Sequence, residues 1–151
     1  YGSGVGFFSD LWRYDLQAQA WEELRGGAWP AARYGHSAVL DPSGAMLVFG
    51  GYGSSFYFSD LWRYNPWAQA WEKLSGGRAW PAARRDHSAV LDPSGVMLVF
   101  GGRLSSGYRG EGYFSELWRY DLQAQAWEEL RGGAWPAARY GHSAVLDPSG
   151  A

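Results

Sequence analysis

Hydrophobic and polar positions along this chain fall into short blocks rather than long periodic stretches. Residues 46–51 and 97–102 both read MLVFGG, an unbroken apolar run closed by two glycines. A run of that length without alternation predicts a strand buried on both faces. Residues 10–15, 60–65 and 116–121 (DLWRYD, DLWRYN, ELWRYD) instead alternate Leu, Arg and Asp or Asn with Trp and Tyr, which gives a strand two different faces. Residues 36–41, 87–92 and 142–147 read HSAVLD and run into Asp-Pro-Ser-Gly, in which Pro sets φ, Asp caps and Gly closes the turn. The fourth block is short: WEEL at 21–24 and 127–130, WEKL at 71–74. Blocks of this length separated by turn chemistry predict a four-stranded antiparallel sheet in each period.

The stretch LQAQAWEEL at 16–24 is the one place where a short helix competes. Its Gln-Ala-Gln-Ala offers little apolar face, and the diverged copy opens on Asn65-Pro66-Trp67, where Pro pre-sets a turn. The stretch is therefore read as a tight turn between two strands.

These blocks recur. Residues 11–45 and 117–151 are the same 35-residue string, with a diverged copy at 61–96 between them. Trp12, Trp62 and Trp118 stand 50 and 56 residues apart, and His36, His87 and His142 stand 51 and 55 apart. A period near fifty with the length variation confined to one stretch is the signature of a propeller-type array.

Several linked motifs resemble the kelch repeat. Met46 to Phe49 leads into Gly50 and Gly51, then Tyr64 and Trp71; Met97 to Phe100 leads into Gly101 and Gly102, then Tyr120 and Trp127. Tyr14 and Trp21 keep the same gap in the first partial copy, and Arg-x-x-His-Ser recurs at 33–37, 84–88 and 139–143. The resemblance covers essentially the whole of residues 1–151 and implies an all-β fold, a kelch-type β-propeller segment of four-stranded antiparallel blades. One blade is expected at 36–74 and a second at 87–130, with a third split between 142–151 and 1–24 and lacking its second strand. About three blades are fewer than the four to eight or so that close a propeller. The chain, which begins at Tyr1 rather than Met, is accordingly read as a cut-out from a larger ring; assembly of several copies and an open arc are the alternatives. In each blade the doublet permits close backbone approach, while the Tyr and Trp fill the space between sheets. Each such aromatic buries about 150–250 Å², and Trp71→Ala is expected among the most damaging single changes.

Composition narrows the chemistry. Thirteen basic against 15 acidic residues leave a net charge of −2, with no electrostatic drive toward nucleic acid or an anionic membrane. No apolar run has the length of a membrane span. Cys is absent, which removes disulfides, thiol nucleophiles and the Cys–Tyr cross-link of the copper oxidases built on related propellers. No Glu–Asp–His iron triad like that of the plant specifier proteins occurs, and Gly2 to Gly6 lacks the Lys-Ser/Thr of a phosphate loop. His36, His87 and His142 are expected to hydrogen-bond within their own blades, and Ser37, Ser88 and Ser143 point away from the His beside them. No catalytic residue, cofactor or metal is assigned. No targeting segment is read, and the reading leans to the cytoplasm without deciding it.

Function is sought instead in the loops. The 2–3 loops are 52–59 and the longer 103–115, and they emerge on the same side as the interblade connections. That side gathers Arg with Trp and Tyr, the residue types that anchor interfaces. Arg33, Arg84 and Arg139 recur at a family-typical position and are read as pairing with a neighbouring carboxylate. Arg103, Tyr108, Arg109, Tyr113, Tyr52, Trp80 and Arg85 are the candidate partner-binding residues. They suit a protein or peptide partner with acidic groups, taken by bidentate hydrogen bonds. The expected function is a non-catalytic protein-interaction scaffold, with self-association through exposed blade edges as a further contact. The alternative is part of an enzymatic or ligand-binding propeller whose central site lies in other blades.

Overall fold

A computed structural model describes residues 6–25, 27–105 and 111–147. The described residues form strands and turns, with no helix. An N-terminal hairpin pairs β1 (Leu11–Asp15) with β2 (Ala20–Leu24). The first blade follows as β3 (Ser37–Leu40), β4 (Met46–Phe49), β7 (Leu61–Asn65) and β8 (Ala70–Lys73), hydrogen-bonded in that order; its 2–3 loop adds a small hairpin, β5 (Tyr52–Gly53) with β6 (Phe56–Tyr57). The second blade repeats the plan with β9 (Ser88–Leu91), β10 (Val96–Phe100), β13 (Leu117–Asp121) and β14 (Ala126–Leu130), and its loop hairpin is β11 (Arg103–Ser105) with β12 (Glu111–Tyr113). All pairings are antiparallel and each blade meanders without crossover. The architecture is the all-β array of four-stranded sheets that the repeat predicts.

Side-chain carboxylates and amides make the turns. Asp41 Oδ1 accepts from Ser43 N, Ser43 Oγ and Ala45 N at 2.6–3.0 Å, and Asp92 repeats this with Ser94 and Val96. The stretch in which a helix competed is a turn in all three copies. Asp15, Asn65 and Asp121 each accept two backbone N–H groups from the residues two and three ahead. Gln19, Gln69 and Gln125 then take φ near +50°, which stops any helix.

Alternation sets the packing. In blade one, Leu47, Phe49, Leu61 and Leu74 share a face; in blade two, Met97, Val99, Trp118, Tyr120 and Trp127 share the opposite one, and together these nine residues are the buried core. The core is thus the seam between blades. Phe49 and Trp127 meet with ring centroids 5.0 Å apart, and Tyr120 Oη donates to the Ser75 carbonyl at 2.7 Å.

The glycine doublets let the seam close. Gly50 and Gly51 have φ of +67° and +102°, and a Cβ on Gly50 would sit 2.7 Å from the Arg84 carbonyl oxygen. Gly51 N donates to that same carbonyl at 2.8 Å, and Gly102 N repeats the bond to Arg139 O. Each doublet therefore belongs to the junction with the following blade.

The structure differs from the sequence reading in two places. Among the described residues, 142–147 carry no ladder, whereas the same SAVL at 37–40 and 88–91 pairs with β4 and β10. Trp71 is only half-buried, since the two-stranded β1–β2 hairpin covers its side of blade one less fully than a four-stranded blade covers the other. Trp127, at 4% exposure, carries the larger packing role. Trp127→Ala is expected to cost about 3–5 kcal/mol in urea unfolding. Trp21→Ala, the same position in the identical but exposed hairpin, should cost under about 0.5 kcal/mol in the monomeric chain.

Candidate interaction face

The recurring arginines fix the connections from which the candidate face is built. Arg33 sends Nη1 to Asp60 at 2.6 Å and to the Gly50 carbonyl at 2.9 Å, with Nη2 on the other Asp60 oxygen at 3.1 Å. Its guanidinium lies 4.2 Å from the Phe58 ring centroid. Burial works against the Asp60 carboxylate, yet the hydrogen bonds from Arg33 and Trp62 outweigh it and hold the group below the usual carboxylate range. Arg84 repeats the arrangement on Glu116 at 2.6 Å, the Gly101 carbonyl at 2.9 Å and the Phe114 ring at 4.1 Å. Arg33 and Arg84 are structural, each paired with a carboxylate as the sequence reading expects, whereas Arg139 donates its Nε to the Ala137 carbonyl at 3.0 Å.

The histidines differ from that reading. His87 Nε2 lies 2.8 Å from Ser37 Oγ of the preceding blade, and His142 Nε2 lies 2.8 Å from Ser88 Oγ. The bonds therefore cross between blades instead of staying within one. The reason is the doublet: Gly50 has no side chain to keep the His87 ring out, so the ring reaches the neighbouring sheet and meets Phe49 edge-on at 5.3 Å. Burial, then the charges of Arg84, His36 and His142, pushes His87 down to about 3.

Above this frame the connections converge. Position 35 and its equivalents follow one another through backbone bonds, Asp86 N to Gly35 O and Gly141 N to Asp86 O, both 2.7 Å. Tyr34 and Tyr52 bridge backbones in blade one, as Arg85 and Arg103 do in blade two. Arg85 lies 5.0, 5.5 and 5.9 Å from the ring centroids of Tyr34, Tyr52 and Tyr57 and donates to Tyr34 Oη. On the other side Arg103 lies 4.4 Å from the Tyr140 ring, which stacks on Tyr113 at 5.4 Å. Asp86 joins the two cations, 2.8 Å from Arg103 Nε and 3.7 Å from Arg85 Nε. This hydrogen bond raises Arg103 above the ordinary guanidinium value. A layer of two cations and one anion thus lies between two layers of tyrosine.

Four of the candidate residues, Arg85, Arg103, Tyr52 and Tyr113, are brought together here. Tyr108 and Arg109 lie outside the described residues. Trp80 is placed elsewhere: it packs 6.0 Å from Trp127 and against the buried core, a wedge between blades. The sequence reading missed Tyr57 and the anchoring role of Asp86. Asp86 could have been found: it replaces the glycines at 35 and 141 and adopts their left-handed φ, +58° against +66° and +65°. A side chain held in that region signals a constraint at the site.

The whole chain matches one family. Residues 2–150 fit the family model described as KLHDC2/KLHL20/DRC7 Kelch-repeats domain. The chain belongs to the kelch-repeat family. It is 28% identical over 157 residues to human Kelch domain-containing protein 10 and 30% identical over 157 residues to that of Xenopus laevis, covering 98% of this chain and 34% and 36% of those proteins. With Kelch domain-containing protein 10 homolog of Drosophila melanogaster identity is 28% over 172 residues, covering 98% of this chain and 27% of that protein. The chain thus spans about a third of the length of the curated relatives it matches. Kelch-repeat domains generally mediate protein–protein interactions.

A pH dependence follows for this kelch segment. An unfolded His titrates near ~6.5, so between that value and about 3 the unfolded chain binds a proton that folded His87 refuses. The contribution of neutral His87 is complete above the unfolded value and is lost as pH falls from there toward the folded one. His87→Gln, which keeps a polar partner for Ser37, should flatten the acid slope of the urea midpoint relative to the parent.

Proposed function

We propose that this kelch segment is a non-catalytic scaffold whose loop face takes an acidic peptide segment at Arg85 and Arg103. The observation that carries the reading is the arrangement of these two guanidiniums. They lie side by side on β11 and the connection before β9, stacked on tyrosines of both neighbouring blades, with one carboxylate, Asp86, between them. Two cations against one anion leave a positive balance. Stacking holds the guanidinium planes, so little rotamer entropy is left to lose when a carboxylate arrives.

The pattern across repeats supports the same reading. Where blade two carries Arg85 and Arg103, blade one carries Tyr34 and Tyr52, so the cation pair is individual to one blade while the frame beneath it is common. The rings supply apolar contact area and Tyr hydroxyls on both sides of the charge. A segment of Asp or Glu interleaved with apolar residues fits such a strip. The uncovered N-terminal hairpin adds a surface for self-association.

A fluorescein-labelled hepta-glutamate peptide, read by anisotropy at low salt, tests this. Arg85→Ala/Arg103→Ala should weaken its binding by about tenfold or more while near-UV circular dichroism is retained, and Arg85→Lys/Arg103→Lys should fall between the two. Unchanged affinity in the double Ala variant would contradict the reading.

A further inference from the structure

The Arg85–Arg103 pair already holds one carboxylate, and the fold fixes that carboxylate in place. Asp86 Oδ2 lies 2.8 Å from Arg103 Nε and 3.7 Å from Arg85 Nε. The Asp86 backbone is tied on both sides, its N–H to Gly35 O and its carbonyl to Gly141 N, each at 2.7 Å. The second carboxylate oxygen is packed as closely. A Cβ on Gly35 would stand 2.7 Å from Asp86 Oδ1, so that glycine leaves the room the oxygen occupies. Positions 35, 86 and 141 all take a left-handed φ, at +66°, +58° and +65°, and only the middle one carries a side chain. Glycine adopts this conformation freely, whereas aspartate there runs against backbone preference. Blade two therefore sets an anion between its two cations where the repeat has none.

The side chains of Arg85, Asp86 and Arg103 are 15, 22 and 23% exposed, so their charges are screened far less than those of an open surface. Two guanidiniums and one carboxylate leave a balance of one positive charge. One carboxylate from a ligand neutralises it. A second would meet a neutral site, or would have to displace Asp86, whose backbone and Oδ1 are both held. Donors are also partly spent: Arg103 Nε bonds Asp86 and Arg85 Nη1 bonds Tyr34 Oη.

Building on the acidic-peptide reading of this pair, we infer that Asp86 sets how acidic the ligand is. It supplies one of the two carboxylates that the arginines can hold, so the site takes one isolated acidic residue and gains little from a second beside it. Residues flanking that acid meet tyrosine: Tyr34, Tyr52 and Tyr57 around Arg85, and Tyr140 stacked on Tyr113 beyond Arg103. Such rings favour apolar neighbours over further carboxylates. The ligand class is a single Asp or Glu set between apolar residues, not an acidic run.

Two fluorescein-labelled peptides test this by anisotropy at low salt: Phe-Ser-Glu-Ser-Gln-Ser-Phe and the same peptide with Glu in place of Gln. In an extended chain the two positions face the same side. The parent should bind both within about twofold of each other, whereas Asp86→Asn should prefer the doubly acidic peptide by about fivefold or more. Asparagine keeps the side-chain shape and suits a left-handed φ. Asp86→Gly, which restores the residue found at 35 and 141, should show the same preference, and both variants should keep the parent's circular dichroism. Doubly acidic binding that appears only in the variants would equally support the limit. A second Glu that helps the parent as much as the variants, or affinity for both peptides that drops in the variants, would overturn the inference and leave the acidic-peptide reading standing. Binding of neither peptide to parent or variants would overturn both.

Discussion

The Arg84 guanidinium is withdrawn from solvent entirely, and it is tolerable there because every direction it faces is answered. Glu116 takes Nη2, the Gly101 carbonyl takes Nη1, the Ala82 carbonyl takes Nε, and the Phe114 ring lies against the flat face. Meanwhile the backbone of the same residue is tied to the preceding blade, Arg84 N to Phe58 O at 3.1 Å and Gly51 N to Arg84 O at 2.8 Å. One residue thus belongs to two sheets, through its main chain to the first and through its charge to the second. A buried cation without partners would cost several kcal/mol, so the junction forms as a unit or not at all.

From that constraint the rest follows in order. The approach of Arg84 to blade one requires a glycine at 50, and the space that glycine leaves admits the His87 ring, which bonds Ser37 across the seam. With the connections held at this spacing, the Leu and Phe of one blade meet the Tyr and Trp of the next. The same geometry sets Tyr34, Asp86 and their equivalents at the loop surface, where the chain is free to differ. Blade two uses that freedom to place Arg85 and Arg103 where blade one has Tyr34 and Tyr52. Repetition supplies the frame, and departure from repetition supplies the chemistry.

Strands and the pairing of Arg33 and Arg84 with carboxylates were legible because each depends on local pattern or on a motif repeated at fixed spacing. What was not legible depends on which sheet a side chain reaches. His87 stands next to Ser88 in sequence and bonds Ser37, fifty residues earlier, and only the shape of the junction decides this. Trp80 sits in a connection rich in Arg, which suggested a binding role, yet the glycine at 76 beside it opens a slot between blades that its ring fills. The left-handed Gln19, Gln69 and Gln125 occupy a conformation that Gly or Asn usually takes, so composition alone gives no sign of them. Half of the candidate face was visible as Arg and Tyr in variable loops. The stacking order, tyrosine, arginine, tyrosine, emerges only when connections of successive blades lie side by side.

The direct test of the account is the arginine Nε–Hε resonances of ¹⁵N-labelled chain during titration with an acidic peptide. Arg85 and Arg103 should shift together and saturate at one affinity, while the buried Arg84 resonance stays in place. A shift at Arg84, or saturation that leaves Arg85 and Arg103 unmoved, would contradict a division between a fully buried structural arginine at the junction and a partly exposed recognition pair above it.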